Sequence, residues 1–301
     1  MVGIGIIGVG RWGRNLLRAF AGLDEVKACS VRSRDVSELV ARYPRVRWTR
    51  RYRDILADPS VGAVAVATPA ATHYSIAKQA LEAGKHVFVE KPLCQKSGEA
   101  ADLVKLSRKK KKILMVGHIF LYHPVHEAVA KVHRKDPIVS LFSEWSKLGT
   151  FEEDIVSSLV SHEAALSMGL LGARPRQTRV IQRQGLASRI DRIEVELTYS
   201  GKRRHLIRID RLHPFPSRTV RIETKGGNVY YWRDHELLRF DRRRRDFRKV
   251  FSSAEEPLQR ECRAFLRAIR LGKPPRADAV FGGQVVAVLG GLLASRRHHR
   301  P

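Results

Sequence analysis

Residues 4–18 constrain the fold of this chain more than any other stretch. Ile4, Ile6 and Ile7 make a short apolar run that suits a buried strand. Gly8, Gly10 and Gly13 follow in the spacing G-x-G-x-x-G, and Leu16, Leu17 and Phe20 then recur at helical spacing. Strand, glycine turn and helix is the setting in which this spacing points to dinucleotide binding. Gly8 permits the tight turn, Gly10 lets the backbone approach a pyrophosphate, and Gly13 lets helix and strand pack closely. Free N–H groups and the positive end of the helix dipole then face the anion. Gly8, Gly10, Arg11, Trp12 and Gly13 are therefore cofactor-binding candidates. The alternative is a glycine-rich turn with no ligand.

A chain of 301 residues, 43% of them hydrophobic, is long enough for two domains with cores of their own. The three cysteines (Cys29, Cys94, Cys262) are odd in number and form no C-x-x-C pair, which argues against a disulfide framework or a structural zinc site. The remaining histidines show no metal-ligand spacing, so no metal is expected. The apolar start has no basic region before it and reads as the fingerprint strand, not as a secretion signal. The longest apolar run, residues 285–294, is about half of what spans a bilayer. A cytoplasmic protein is expected.

The charge is unusual: 57 Lys and Arg against 30 Asp and Glu give +27. Such an excess is found in nucleic-acid binders and in proteins that steer anionic ligands. Here the arginines are scattered and cluster only at 108–112, 242–245 and 296–300, with no helix-turn-helix, zinc-finger or RNP-like sequence beside them. The expectation is a solvated basic surface and no nucleic-acid partner.

Residues 1–118 alternate strand and helix. Strands are expected at 4–7, 26–31, 63–67, 86–89 and 113–117, and helices at 36–43, 52–56, 74–83 and 97–112. Repeated β-α-β units imply a parallel, doubly wound sheet. Beyond Tyr122 the pattern changes. After a helix at 124–134, a strand at 138–145 and a long helix at 155–171 come strand-like runs at 179–182, 192–199, 205–210, 218–224 and 228–232. Gly226-Gly227 between the last two is a hairpin signal. Helices near 257–270 and 277–296 close the chain. The expected architecture is an α/β Rossmann domain over 1–118, followed by an α+β domain over 119–301 with a large, open, mostly antiparallel sheet. The C-terminal helices are free to pack back on the first domain.

An acidic residue at the end of the second strand would hydrogen-bond both ribose hydroxyls of NAD and repel a 2′-phosphate. This chain has Cys29-Ser30-Val31-Arg32-Ser33-Arg34 there, with no carboxylate before Asp35. Ser30 suits a phosphate oxygen, and Arg32 or Arg34 supplies a charge-assisted pair. The expectation is NADP(H), with NAD(H) as the alternative.

Three further stretches complete the pattern: Ala67-Thr68-Pro69-Ala70-Ala71-Thr72-His73-Tyr74, Gly84-Lys85-His86-Val87-Phe88-Val89-Glu90-Lys91-Pro92-Leu93, and Gly117-His118-Ile119-Phe120-Leu121-Tyr122-His123-Pro124. With the glycine fingerprint they closely resemble the Gfo/Idh/MocA oxidoreductases, a family named after glucose–fructose oxidoreductase and inositol dehydrogenase. Their wording looks most like the bacterial branch that acts on sugar nucleotides. The resemblance is strong over the first domain and looser over the second.

The resemblance implies that Lys91 of Glu-Lys-Pro lies beside the nicotinamide and the reacting hydroxyl. Oxidising a carbinol by hydride transfer requires its proton to leave, and an ammonium group stabilises the developing alkoxide. Pro92 is expected to fix an unusual turn, with a cis bond as the hypothesis. Glu90 is expected to hold backbone or ribose groups. By the same resemblance Thr68, Pro69 and His73 line the cofactor cleft, and His118 and Tyr122 face substrate. Trp12 covers the pyrophosphate or nicotinamide, or simply packs. The family's second segment is a helical Asp-x-x-x-His. His162 stands at the histidine position, Ser158 replaces the aspartate four residues earlier, and Glu163 follows. Asp154 is expected to cap this helix.

These features imply a hydride transfer between nicotinamide and a secondary hydroxyl or keto group of a sugar or sugar nucleotide. Two alternatives stand beside it: a non-catalytic NADP-binding sensor of the same fold, favoured by Ser158, and an imine or tetrapyrrole reductase. Relatives associate through the open sheet, so a homo-oligomer is expected.

Overall fold

In a computed structural model, residues 2–31, 36–149, 151 and 153–294 are described. Arg32 and Arg34, the expected 2′-phosphate partners, lie outside the described residues. In chain order the elements begin β1 (Ile4–Ile7), α1 (Arg11–Ala21), β2 (Val26–Ser30), α2 (Ser37–Arg42), β3 (Arg47–Thr49), α3 (Tyr52–Ala57), β4 (Ala63–Val66), α4 (His73–Glu82), β5 (His86–Glu90), α5 (Ser97–Lys109) and β6 (Leu114–Gly117). There follow α6 (Pro124–Lys135), β7 (Ile138–Leu148), α7 (Ser161–Leu171), β8 (Gln177–Gln184), β9 (Arg192–Thr198), β10 (Arg204–Asp210), β11 (Leu212–Thr224), β12 (Val229–Arg233), β13 (Glu236–Asp241) and β14 (Asp246–Ser252). Helices α8 (Pro257–Leu271) and α9 (Ala279–Ala294) close the sequence of elements.

The chain divides into two compact units. The first comprises Met1–His118 with Leu258–Val286, and the second Ile119–Pro257 with the remaining C-terminal residues. In the first unit six parallel strands lie in the order β3-β2-β1-β4-β5-β6. Ile4, Ile6, Ile7 and the whole of β4 are buried, as expected of strands covered on both faces. Because all six strands point one way, their carboxyl ends share one edge. Ile7 is level with Ser30 and Val66, Val66 with Val89, and Glu90 with Gly117. The strand order reverses direction between β1 and β4, and in open α/β sheets ligands bind outside such a switch point. The three-residue edge strand β3 was not expected; it is too short to show alternation.

The second unit is built on one eight-stranded sheet, ordered β14-β13-β12-β11-β7-β10-β9-β8. Every neighbouring pair is antiparallel except β10 with β7, which run parallel. Asp136 fastens the β11–β12 turn at Gly226-Gly227 by accepting from Thr224 Oγ1, Gly226 N and Asn228 Nδ2. Two strands beyond it, β13 and β14, were not anticipated, because the arginine cluster at 242–245 reads as charge. It is their connecting turn: Asp241 Oδ1 accepts the N–H groups of Arg243 and Arg244, and Arg245 has φ +55°. The expected single helix at 155–171 begins instead with a π turn over Val156–Val160 before α7. Asp154 caps that turn as expected, its carboxylate accepting from Val156 N and Ser157 N, each at 3.0 Å.

Candidate functional site

The fingerprint glycines occupy three different environments. Gly8 has φ +95°, which only glycine adopts without strain, and a Cβ on it would also strike Thr68 and Ala67. A Cβ on Gly13 would lie 2.1 Å from the Gly8 carbonyl oxygen, so helix and strand approach as closely as glycine allows. Gly10 differs from both: among the described residues nothing lies within 4 Å of where its Cβ would be. No side chain caps α1, whose N-cap is Gly10 and whose first turn holds no acidic residue. Arg11 and Trp12 follow it on the exposed side. An open cradle at an uncapped helix N-terminus fits a pyrophosphate, since such N–H groups need an anionic acceptor.

The neighbouring strand tips are tied to this turn. The N–H of Gly8 approaches both the Ser30 carbonyl (3.1 Å) and hydroxyl (3.3 Å), while Val9 N donates to the same carbonyl (3.0 Å). Ser30 is thus buried against the turn, which corrects the expectation of a hydroxyl presented to a phosphate. Thr68 accepts from Thr72 Oγ1 at 2.7 Å, and Pro69 O accepts from Thr72 N and Oγ1. His73 was expected to line the cleft, yet its side chain is buried as a brace. Its Nδ1 lies 2.7 Å from Pro92 O and its Nε2 2.7 Å from Thr68 O. Burial lowers the His73 pKa, against the two carbonyls, which favour the charged ring. The ring therefore joins the Thr-Pro turn to the Lys91–Pro92 turn, whose peptide bond is cis.

Lys91 stands half-buried at the tip of β5. The Glu90 carboxylate before it accepts from the Trp12 indole N–H and from Lys91 N (3.3 Å). Gly117 makes room for it, as a Cβ there would lie 3.0 Å from that carboxyl. Burial pushes the Glu90 pKa up to about 7, against the bond from Trp12 and the nearby Lys91 charge. His118 is buried with neither ring nitrogen hydrogen-bonded, edge-on to Phe281 at 5.7 Å. Burial, helped by Lys91, pulls its pKa down to about 3, so the ring is neutral at ordinary pH.

In the second unit His162 lies on α7 with its ring 5.3 Å from Phe120 and 5.8 Å from Trp145. Ser158 donates through its hydroxyl to Asp154 O at 2.8 Å. Tyr122, expected to face substrate, is 7% exposed and offers little open ring face. Glu163 is completely buried and anchors an arrangement that sequence reading missed. Arg218 of β11 donates to it through Nε (2.7 Å) and Nη2 (3.2 Å), and Ser143 Oγ donates at 2.7 Å. The Arg218 guanidinium lies 3.8 Å from the Phe120 ring centre and 5.0 Å from that of Trp232. Phe120, His123, Arg218, Asp234 and His235 line a cavity of about 140 Å³. Among 57 basic residues nothing in the sequence distinguishes Arg218.

A glycine cradle, a switch point and a cis Lys-Pro turn now share one edge of the first unit. The family model described as "Oxidoreductase family, NAD-binding Rossmann fold" matches residues 2–118. Over these residues the chain resembles the Rossmann domain of the Gfo/Idh/MocA oxidoreductases. The likeness to known dehydrogenases and reductases extends further. UDP-N-acetylglucosamine 3-dehydrogenase of Acidithiobacillus ferrooxidans is 25% identical over 306 aligned residues, covering 94% of this chain and 93% of that protein. A solved structure of that enzyme matches with a TM-score of 0.87 at 24% identity, covering 97% of each chain. Levoglucosan dehydrogenase, solved with NADH and levoglucosan, matches at 19% identity and a TM-score of 0.86, covering 98% of this chain and 97% of its own. A dTDP-3,4-didehydro-2,6-dideoxy-alpha-D-glucose 3-reductase of Saccharopolyspora spinosa is 34% identical over 132 residues, 42% of this chain and 40% of that protein. Among the described residues no helix is long and apolar enough to cross a membrane.

Proposed function

We propose that this chain is an NAD(P)-dependent dehydrogenase or reductase that moves a hydride between nicotinamide and a secondary hydroxyl or keto carbon of a sugar, with a sugar nucleotide as the favoured substrate. The observation that carries this reading is the placement of Lys91 on the same strand-tip edge as the open Gly10 cradle. When bound, the nicotinamide supplies the hydride acceptor or donor. The chain's part is to hold it and manage the proton. Backbone N–H groups at the start of α1 bind the diphosphate. In the reducing direction the Lys91 ammonium gives its proton to the oxygen as the keto carbon takes up the hydride; in the oxidising direction the neutral Lys91 amine takes the carbinol proton as the hydride leaves. In the second unit His162 and Ser158 are assigned to substrate. The names of the relatives support a sugar, and two carry nucleoside diphosphates.

The test is oxidation of NADPH and NADH, and reduction of NADP and NAD, against a panel of sugars and UDP-sugars. Lys91→Ala is expected to lower turnover by about 10²–10⁴-fold while cofactor binding persists. Unchanged turnover removes the role given to Lys91. The stretch after β2 carries no carboxylate before Asp35, and Arg32 and Arg34 in it favour NADP(H).

Ser158 favours a second reading, a non-catalytic sensor, because a hydroxyl stands where the family's helix carries a carboxylate. Tight NADPH binding with no turnover across the panel would select it.

A further inference from the structure

Helix α8 brings to the first unit a carboxyl group that the reading above does not use. Glu261 has no exposed surface, and among the described residues neither of its carboxyl oxygens has a hydrogen-bond partner. Its place follows from an aromatic tier beneath it. Phe20 of α1, Phe88 of β5 and Phe265 of α8 meet edge to face, with ring centres 5.8–6.2 Å apart. Strand residues two apart share a face, and helix residues four apart do too. One step toward the strand tips from Phe88 is therefore Glu90, and one turn toward the helix start from Phe265 is Glu261. On α1 the residue two turns before Phe20 is Trp12, whose indole N–H reaches Glu90. A polar tier of Trp12, Glu90 and Glu261 lies over the apolar one.

We propose that Glu90 and Glu261 act as one buried carboxyl pair holding a single proton, with Glu261 its protonated member. Glu261 is thus a positioning residue: it keeps Glu90 singly charged beside the Lys91 ammonium. The proposal rests on the assignment of Lys91 above for its consequence, though not for its test. Two neighbouring ionised carboxylates in a buried setting are strongly disfavoured, and only one of these has donors among the described residues. Trp12 and the backbone of Lys91 both donate to Glu90, which therefore keeps the charge. Burial, then the charge of Glu90, raises the Glu261 pKa well above the usual carboxylate range. Among the described residues the charge acting on Glu90 is that of Lys91 at the tip of β5, and Lys91 in turn lies near His118, which is neutral. Lys91, Glu90 and Glu261 together then carry no net charge. Loss of the shared proton would add a second negative charge and hold the proton on Lys91 more tightly.

The test is infrared spectroscopy of the full chain without ligand at pH 8, where exposed carboxyls are ionised. Wild type is expected to show the carbonyl band of one protonated acid, which Glu261→Gln abolishes. Glu90→Gln is expected to retain it, and serves if Glu261→Gln does not fold. No such band in wild type, or its persistence in folded Glu261→Gln, overturns the proposal. Neither result depends on a substrate being found, so failure of the enzymatic reading is recorded separately. In a mixture where turnover is measured, Glu261→Gln is also expected to change the alkaline side of the pH–rate profile, which simple loss of packing would not do.

Discussion

Alanine at Gly10 and at Gly13 separates ligand binding from folding within one turn. At Gly13 the added methyl would lie 2.1 Å from the Gly8 carbonyl oxygen and 3.0 Å from its carbon. Relief requires α1 to lift from β1, yet Leu16, Leu17 and Phe20 on that helix are fully buried. Overpacking of this kind costs about 1–3 kcal/mol. For a unit of this size that is a fall of roughly 4–10 °C in melting temperature. At Gly10 the backbone is extended (φ −86°, ψ −158°) and the methyl meets no atom of the described residues within 4 Å. Alanine there restricts the unfolded chain, which stabilises by about 0.4–1 kcal/mol. It is also a poorer N-cap than glycine by a similar amount. The two effects cancel, and the melting temperature stays within about 2 °C. On the proposed placement of the diphosphate, the methyl occupies its path. Losing one charge-assisted hydrogen bond, about 1.5–3 kcal/mol, weakens NAD(P)H roughly 10- to 100-fold. Thermal melts and fluorescence titration of NADH and NADPH read both quantities. Gly10→Ala binding as tightly as wild type, with an unchanged melt, would refute the placement of the diphosphate.

Replacing Arg218 with Met leaves Glu163 buried without its cation, and is expected to destabilise by about 3–5 kcal/mol. Adding Glu163→Leu should recover much of that loss in chemical denaturation. His118 is neutral when folded because its pKa is depressed to about 3. The unfolded chain takes up that proton below about pH 6.5, so stability falls as pH drops from there toward 3. His118→Phe is expected to flatten this acid slope in pH-dependent melts. Asp191 behaves in the opposite sense. Burial raises its pKa, but donors at Ser188 Oγ and at Leu186, Ser188 and Ala187 N outweigh burial and hold the carboxyl below the usual range. Its stabilisation is present above about pH 4 and is lost as pH falls through the lower folded value, so Asp191→Asn should remove that part of the acid transition. Arg32→Ala with Arg34→Ala is expected to weaken NADPH more than NADH, and equal losses would remove the argument for NADP.

Much of the first unit was legible because its signals are local. Glycine spacing and apolar runs each act within a few residues, and the strands and helices they imply are present. The second unit was less so. Arg242–Arg245 reads as a charged surface until Asp241 is seen to gather its N–H groups into a hairpin turn. The parallel pairing of β10 with β7 joins residues such as His205 and Leu141, and no local pattern encodes that register. A one-residue slip there would exchange the buried face for the exposed one, so the packed face, not the turn chemistry, fixes it.

The site residues divide by the same criterion. Glycines are legible because their requirement is steric and belongs to the backbone they sit in. A titratable side chain is defined by what surrounds it. His73 and His118 look alike in sequence, yet one is held between two carbonyls and the other is buried with no hydrogen-bonding partner. Glu90 and Glu261 lie 171 positions apart in the chain, and only the stacking of Phe20, Phe88 and Phe265 puts them on one tier. That stacking also limits how the pair can respond. Because the three rings fix α1, β5 and α8 against one another, neither carboxyl can swing into water to relieve repulsion. The response left to the pair is to keep a proton, which makes the charge beside Lys91 a property of the core packing.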